Sequence, residues 1–185
     1  MAELLEPIEK RRAYRTLSEK KIPGDVVQRI LKAATFAPSC FNKQPWRFVA
    51  AESEEALQKI KTALPDGNYW VKKSPLIIMA LTKNDLDCRL SDNRNYAFFD
   101  VGLAVENFIL QAVSEGLIAH PIAGYNPVKI KEAFQIPDEY ILLNLVIAGY
   151  PGDDSHLSEE YREKERSPRE RKPMEEVVTL NEWKF

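Results

Sequence analysis

An excess of charge of either sign is missing from this chain of 185 residues: 26 Lys and Arg face 28 Asp and Glu, a formal charge of −2. Nothing global therefore draws it to nucleic acid or to an anionic membrane, and any anion site must be a local cluster of Arg and Lys. Only two cysteines, Cys40 and Cys88, are present, with no CxxC pair, so a secreted disulfide framework is excluded. They read as reduced thiols of a cytosolic protein. Two histidines, His120 and His156, and two scattered cysteines make no metal-ligand spacing. There is no Gly-x-Ser-x-Gly elbow to support a triad of Ser39, His120 and Asp100. There is also no Gly-x-Gly-x-x-Gly fingerprint of a Rossmann site. No apolar run reaches the roughly 20 residues of a bilayer span, and Met1-Ala-Glu-Leu-Leu-Glu-Pro lacks the regions of a signal peptide. The expected location is cytoplasmic. Internal repeats are absent. What remains, at 44% hydrophobic content, is one globular domain over residues 1–185.

The elements follow from periodicity. Val26, Val27, Ile30, Leu31 and Ala34 recur at helical spacing, predicting an amphipathic helix over 24–36 that Pro38 stops. A strand is expected at 47–51, a helix at 54–63, and a fully apolar strand at 76–81 after Pro75. Residues 97–113 form the longest helix candidate, apolar around nearly its whole circumference and so expected to be buried on all sides. Such burial is easier if part of it lies in a subunit interface, the alternative being the central core helix of a monomer. Asp100, Glu106, Asn107 and Gln111 exclude a membrane span. Gly116 ends that helix; strands at 117–123 and 141–148 follow, with a helix at 128–134 between them. From Glu159 to Lys172 the charge density predicts a solvated helix or loop. Residues 177–185 regain strand-like content and are expected to pair with a sheet edge in this subunit or the next. Strands and helices without strict alternation predict an α+β or mixed α/β sandwich.

Two features carry chemistry. Arg11, Arg12 and Arg15 follow a short helical segment over 7–12, and planar guanidiniums converge well on a phosphate or a carbonyl edge. Against this stands a solvated cationic face balanced by Glu6, Glu9 and Glu19. The loop from Pro38 to Trp46 offers Ser39, Asn42 and Gln44 as donors and acceptors, with Pro38 and Pro45 limiting the entropy lost on ordering. The alternative there is an ordinary helix-to-strand connection with a core Trp46.

Arg-Arg-x-x-Arg at 11–15 followed by Ala-Pro-Ser-x-x-Asn-x-Gln-Pro-Trp-x-Phe at 37–48 resembles the signature of the FMN-dependent nitroreductase family. Residues 100–112, 116–125, 147–152 and 171–178 resemble further family segments in the same order, so the likeness covers roughly residues 7–178. It implies an α+β fold, a mixed and mainly antiparallel sheet flanked by helices, in a domain-swapped homodimer with two FMN sites. Residues 153–185 would be an extended arm contacting the partner subunit. By resemblance Arg11, Arg12 and Arg15 contact the FMN phosphate and pyrimidine edge, beside Ala13, which stands where the family often has Ser. Pro38, Ser39, Cys40 and Asn42 would reach FMN held mainly by the other subunit. Pro121, Ile122, Ala123 and Gly124 would line the ring near N5, and Arg171 and Lys172 would return to the phosphate. The flavin would carry the electron chemistry, so no catalytic side chain and no metal is expected. The implied activity is NADH- or NADPH-driven reduction of nitroaromatics, quinones or related small acceptors in a ping-pong cycle. A dehalogenase, an ene-type reductase, and a flavin store or sensor without turnover are the alternatives.

Overall fold

The computed structural model describes residues 4–185, as an α+β structure built on one four-stranded sheet. Helix α1 (Glu6–Lys10) leads to α2 (Gly24–Thr35), then β1 (Arg47–Ala51), α3 (Glu54–Lys61) and β2 (Leu76–Thr82). The chain continues through α4 (Ala97–Ser114), β3 (Ile118–Ile122), α5 (Pro127–Phe134), β4 (Ile141–Gly149) and α6 (Glu159–Arg166). The strand order is β1-β2-β4-β3, and all three pairings are antiparallel.

The unbroken apolar run of β2 is explained by burial on both faces. Leu76, Ile78 and Ala80 join a core layer with Val26, Val27 and Ile30 of α2 and Val101, Ala104 and Phe108 of α4. Ile77, Met79 and Leu81 point the other way, onto Leu57, Ile60, Trp70 and Ile130. Successive strand residues face opposite sides, so β2 and β4 each feed two cores, and the sheet is the middle of three layers.

Local chemistry sets the helix ends. Ser53, Asn126 and Ser158 cap α3, α5 and α6 by accepting backbone N–H groups of Ala56, Lys129 and Tyr161. Gln135 ends α5 in the left-handed conformation, and Gly116 (φ 76°) supplies it after α4.

Several expectations are corrected. Within one chain helix α4 is not buried all round, so it is not the central core helix of a monomer, the alternative to burial in a subunit interface. Ala97, Val101, Ala104, Val105, Phe108 and Ala112 pack inward, while Phe98, Phe99, Gly102 and Glu106 are exposed. Residues 177–185 form no strand with this chain's own sheet; turns and bends follow the short 3-10 turn Met174–Glu176. Cys40 and Cys88 are not free thiols: they are joined as a disulfide across 48 residues, with Cα atoms 6.2 Å apart. His120 lies in the middle of β3 and is buried.

Candidate functional site

The two ends of the chain meet at one site. Glu165 of α6 is nearly enclosed (side chain 7% exposed) and accepts the backbone N–H of Arg15 at 3.0 Å. It also accepts the Thr16 hydroxyl at 3.1 Å and the Arg15 guanidinium at 3.5 Å. Arg15 is covered in turn by the Tyr161 ring, 4.7 Å from its guanidinium carbon. Arg12 donates to the Ser167 carbonyl at 2.7 Å, and Arg169 donates to the carbonyl oxygens of Ile8, Glu9 and Arg11. Tyr161 and Tyr69 stack at 5.8 Å, and their hydroxyls bond Gly67 and Ser158, which fixes α6 on the 3-10 stretch Asp66–Lys73.

The result is a concentration of cations. Arg11, Arg12, Arg15 and Arg169 sit together, with Arg171 and Lys172 two and three residues further along. Among the described residues, no carboxylate lies within ion-pair distance of Arg11, Arg12, Arg169, Arg171 or Lys172. Arg15 alone has an acidic partner, and Arg171 donates to the adjacent Glu170 carbonyl. Ala13 is exposed between the arginines.

His120 adjoins this cluster. Its ring stacks on Trp70 at 4.7 Å, and its Nδ1–H donates to the Tyr14 carbonyl oxygen at 3.1 Å. Burial, with smaller contributions from the Arg15 and Arg11 charges, pushes its pKa down to about 4. At neutral pH it is an uncharged packing residue that positions the Arg segment against β3. Beyond it Pro121 is half-buried, Ile122 buried, and Ala123 and Gly124 exposed, with the Gly124 carbonyl held by Asn68 at 2.7 Å.

The loop before β1 lies elsewhere. Ser39 accepts the Gln44 N–H at 2.9 Å, Gln44 donates to Asn42 Oδ1 at 3.1 Å, and Cys40 N–H donates to the buried Asp100 at 2.8 Å. These groups thus build the loop itself. Phe41, Asn42 and Gln44 hold left-handed backbone (φ 46°, 56° and 50°), and Phe41 is 91% exposed. Pro38, Ser39 and Cys40 line a groove of about 450 Å³ with Phe99, Asp100 and Leu103 of α4. Three strand spacings of about 4.8 Å, some 14 Å, separate the β1 edge from the β3 edge. The structure therefore brings Arg11, Arg12 and Arg15 together with the β3 end and the arm. Within one chain it does not bring Pro38, Ser39, Cys40 and Asn42 to them. Glu165, Arg169 and Trp70 escaped the sequence reading. The first two are half of contacts more than 140 residues apart, and no local pattern marks them.

The Nitroreductase family profile matches residues 8–68 and 67–150. A protein of Methanothermobacter thermautotrophicus named "Putative NADH dehydrogenase/NAD(P)H nitroreductase" is 30% identical over 157 residues, covering 82% of this chain and 79% of the relative. A solved oxidoreductase containing FMN superposes with a TM-score of 0.88 at 27% identity, over 99% of this chain and 94% of that one. A nitroreductase family protein from Clostridium novyi NT gives 0.75 at 30% identity, over 86% and 92% of the two chains. With a profile that runs from α1 to the end of β4 and relatives alike over most of their length, the chain belongs to the nitroreductase family.

Proposed function

We propose that this chain is an FMN-dependent oxidoreductase that uses NADH or NADPH to reduce small acceptors such as nitroaromatics and quinones, acting as a homodimer. The observation that carries the reading is the cation cluster formed by the two chain ends beside an exposed β3 terminus. A phosphate monoester needs several fixed cationic donors, and guanidiniums supply them bidentately. Arg11, Arg12 and Arg169 have no acidic partner among the described residues, so the donor set fits the phosphate of FMN. The FMN content of a solved relative, and the NAD(P)H nitroreductase name of another, support the same cofactor and donor.

In this reading Arg11 and Arg12 bind the phosphate, and Arg171 and Lys172 close over it. Arg15, already committed to Glu165, holds the arm in place and adds positive potential. Pro121, Ile122, Ala123 and Gly124 form the ledge for the ring, and Asn68 steadies that ledge through the Gly124 carbonyl. FMN when bound supplies hydride and electron transfer. Pro38, Ser39, Cys40 and Asn42, displaced to the other sheet edge, complete the site of a second copy.

The test is FMN titration. Arg11→Ala and Arg12→Ala are each expected to weaken binding by about 1.5–3 kcal/mol, the scale of a hydrogen bond to a charged group. Unchanged affinity in both sinks the assignment. Anaerobic NADH or NADPH should bleach the flavin bands, which a nitroarene or quinone then restores. Bands that persist would instead favour a flavin store or sensor.

A further inference from the structure

Beside the disulfide lies a set of ligand atoms that the cation cluster does not use. One carboxyl oxygen of Asp87 and the sulfurs of Cys40 and Cys88 lie within 4.8 Å of one another. The carboxyl of Asp100 adjoins that of Asp87, and the two residues are 1% and 7% exposed. Asp87 Oδ1 accepts the N–H of Cys88 at 2.7 Å, and Asp100 Oδ2 accepts the N–H of Cys40 at 2.8 Å. Asp87 Oδ2 is buried and receives no hydrogen bond. Among the described residues no cationic side chain lies within ion-pair distance of either carboxyl; Lys83 and Arg94 pair with Asp85 and Asp92 instead.

A buried carboxyl is ordinarily hydrogen-bonded, paired with a cationic side chain, or bound to a metal. At Asp87 the first is incomplete and the second is missing, which leaves the third. The ligand types narrow the ion. Two thiolates and a carboxylate suit Zn²⁺, whereas Mg²⁺ and Ca²⁺ take oxygen alone. With Zn–S bonds of about 2.3 Å in a tetrahedron, the sulfurs stand about 3.8 Å apart. Cα atoms 6.2 Å apart allow that separation by side-chain rotation once the S–S bond is open. No local motif marks such a site, because 48 residues separate the two cysteines.

We propose that reduced Cys40 and Cys88, together with Asp87, bind one Zn²⁺, and that the disulfide is the oxidised, metal-free state of the same site. A dithiol opens the bond: its thiolate attacks Cys88 Sγ, Cys40 leaves, and the second thiol closes the reagent into its own disulfide. The protein gains two thiols and the reagent loses two. Zn²⁺ then displaces both thiol protons, which pass to solvent, and Asp87 adds Oδ2 as the third ligand. Hydrogen peroxide reverses the change. The sulfurs give up two electrons and join, Zn²⁺ leaves, and the peroxide takes up two protons to become two waters. Entry is from the side of Cys88, which lines a groove of about 290 Å³ with Asn84, Asp85, Asn93 and Asn95, all four exposed. None of these four belongs to α4 or to the loop at 38–42, so the path does not cross the face assigned to a second copy. Zinc binding involves no flavin and stands apart from the reading of the cation cluster.

The experiment is zinc titration of the folded protein, reduced with dithiothreitol and desalted without oxygen, against a chromogenic chelator. Reduced wild type should hold one Zn²⁺ per chain, and the disulfide form none. Asp87→Asn keeps an acceptor for the Cys88 N–H but loses the carboxylate. It should weaken binding at least about tenfold, the low end of losses even for an outer-shell partner, and Cys88→Ser should weaken it at least as much. With Co²⁺ in place of zinc, reduced wild type should show a thiolate-to-metal charge-transfer band that peroxide abolishes. Several results would overturn the proposal: no stoichiometric zinc in the reduced protein, equal zinc in the oxidised protein, or unchanged affinity in either variant. A bond that opens only on unfolding would do the same. Should Asp87→Asn fail to fold, the wild-type comparison and Cys88→Ser still decide the matter.

Discussion

Gly152 shows how one residue fastens the N-terminal segment to the sheet. Its N–H donates to the Thr16 carbonyl at 2.7 Å, and a Cβ there would stand 2.7 Å from the Leu17 carbonyl carbon and oxygen. Those atoms are backbone and cannot rotate away, so Gly152→Ala must displace the strand bridge between Leu17 and Pro151. A loss of about 1–3 kcal/mol is expected, the range of overpacking, read as the shift in a urea unfolding midpoint; an unchanged midpoint would contradict the close approach. His120 gives a prediction in pH. Its folded pKa of about 4 lies below the ordinary 6.5, so between those values the unfolded chain binds a proton that the folded chain refuses. Stability from this residue is therefore whole above pH 6.5 and declines as pH falls toward 4. Between pH 7.5 and 5 the loss is about 2 kcal/mol, at 1.36 kcal/mol per pKa unit. His120→Asn should flatten the stability–pH curve by that amount, and an identical curve in the variant would show that His120 titrates normally.

Among the elements, periodicity made some legible and left others silent. The helix at 24–36 and the strand at 76–81 sit within a residue or so of α2 and β2, because each buries a regular stripe or both faces against the core. The 3-10 stretch 66–73 went unseen since its i to i+3 bonds impose no apolar period, although Trp70 within it is a centre of the lower core layer. Helix α4 was placed correctly, but which of its sides lacks neighbours within the chain was not legible, because composition cannot say which face of an apolar helix is left open. At the candidate site Arg11, Arg12 and Arg15 were legible as a local cluster, whereas Glu165 and Arg169 were not, being defined by what they touch across the chain. Glu165 supplies the test at this scale. Glu165→Ala leaves two backbone N–H groups and the Thr16 hydroxyl without their acceptor and frees α6 from the N-terminal segment. Amides of 159–172 should then exchange hydrogen at least about tenfold faster, with β2 and β4 unaffected, as expected of a local opening unit. Uniform acceleration across the sheet would mean that the arm is part of the global core instead.

At the scale of the whole molecule, large apolar groups stand exposed on three separate segments. Phe99 of α4 is 55% exposed, Phe41 of the loop 91%, and Leu180 and Trp183 of the arm 79% and 81%. Contiguous apolar patches beyond a few hundred Å² mark interaction sites. Exposed apolar side chains lie here on the open side of α4, on the loop that does not reach its own chain's cation cluster, and on an arm with no strand partner in this chain. The homodimer proposed above would account for all three: its second copy would cover α4, receive the arm, and take the Pro38–Asn42 loop to the partner's cluster, completing two equal sites by a closed two-fold arrangement. Sedimentation should accordingly give a species of twice 21.2 kDa. Phe99→Glu places a charge in the contact and should shift the population toward the monomer at micromolar concentration, with loss of FMN affinity in step. A wild-type species of 21.2 kDa that still holds flavin would refute the shared site, since the loop and the arginines would then have to meet within one chain across a sheet that keeps them apart.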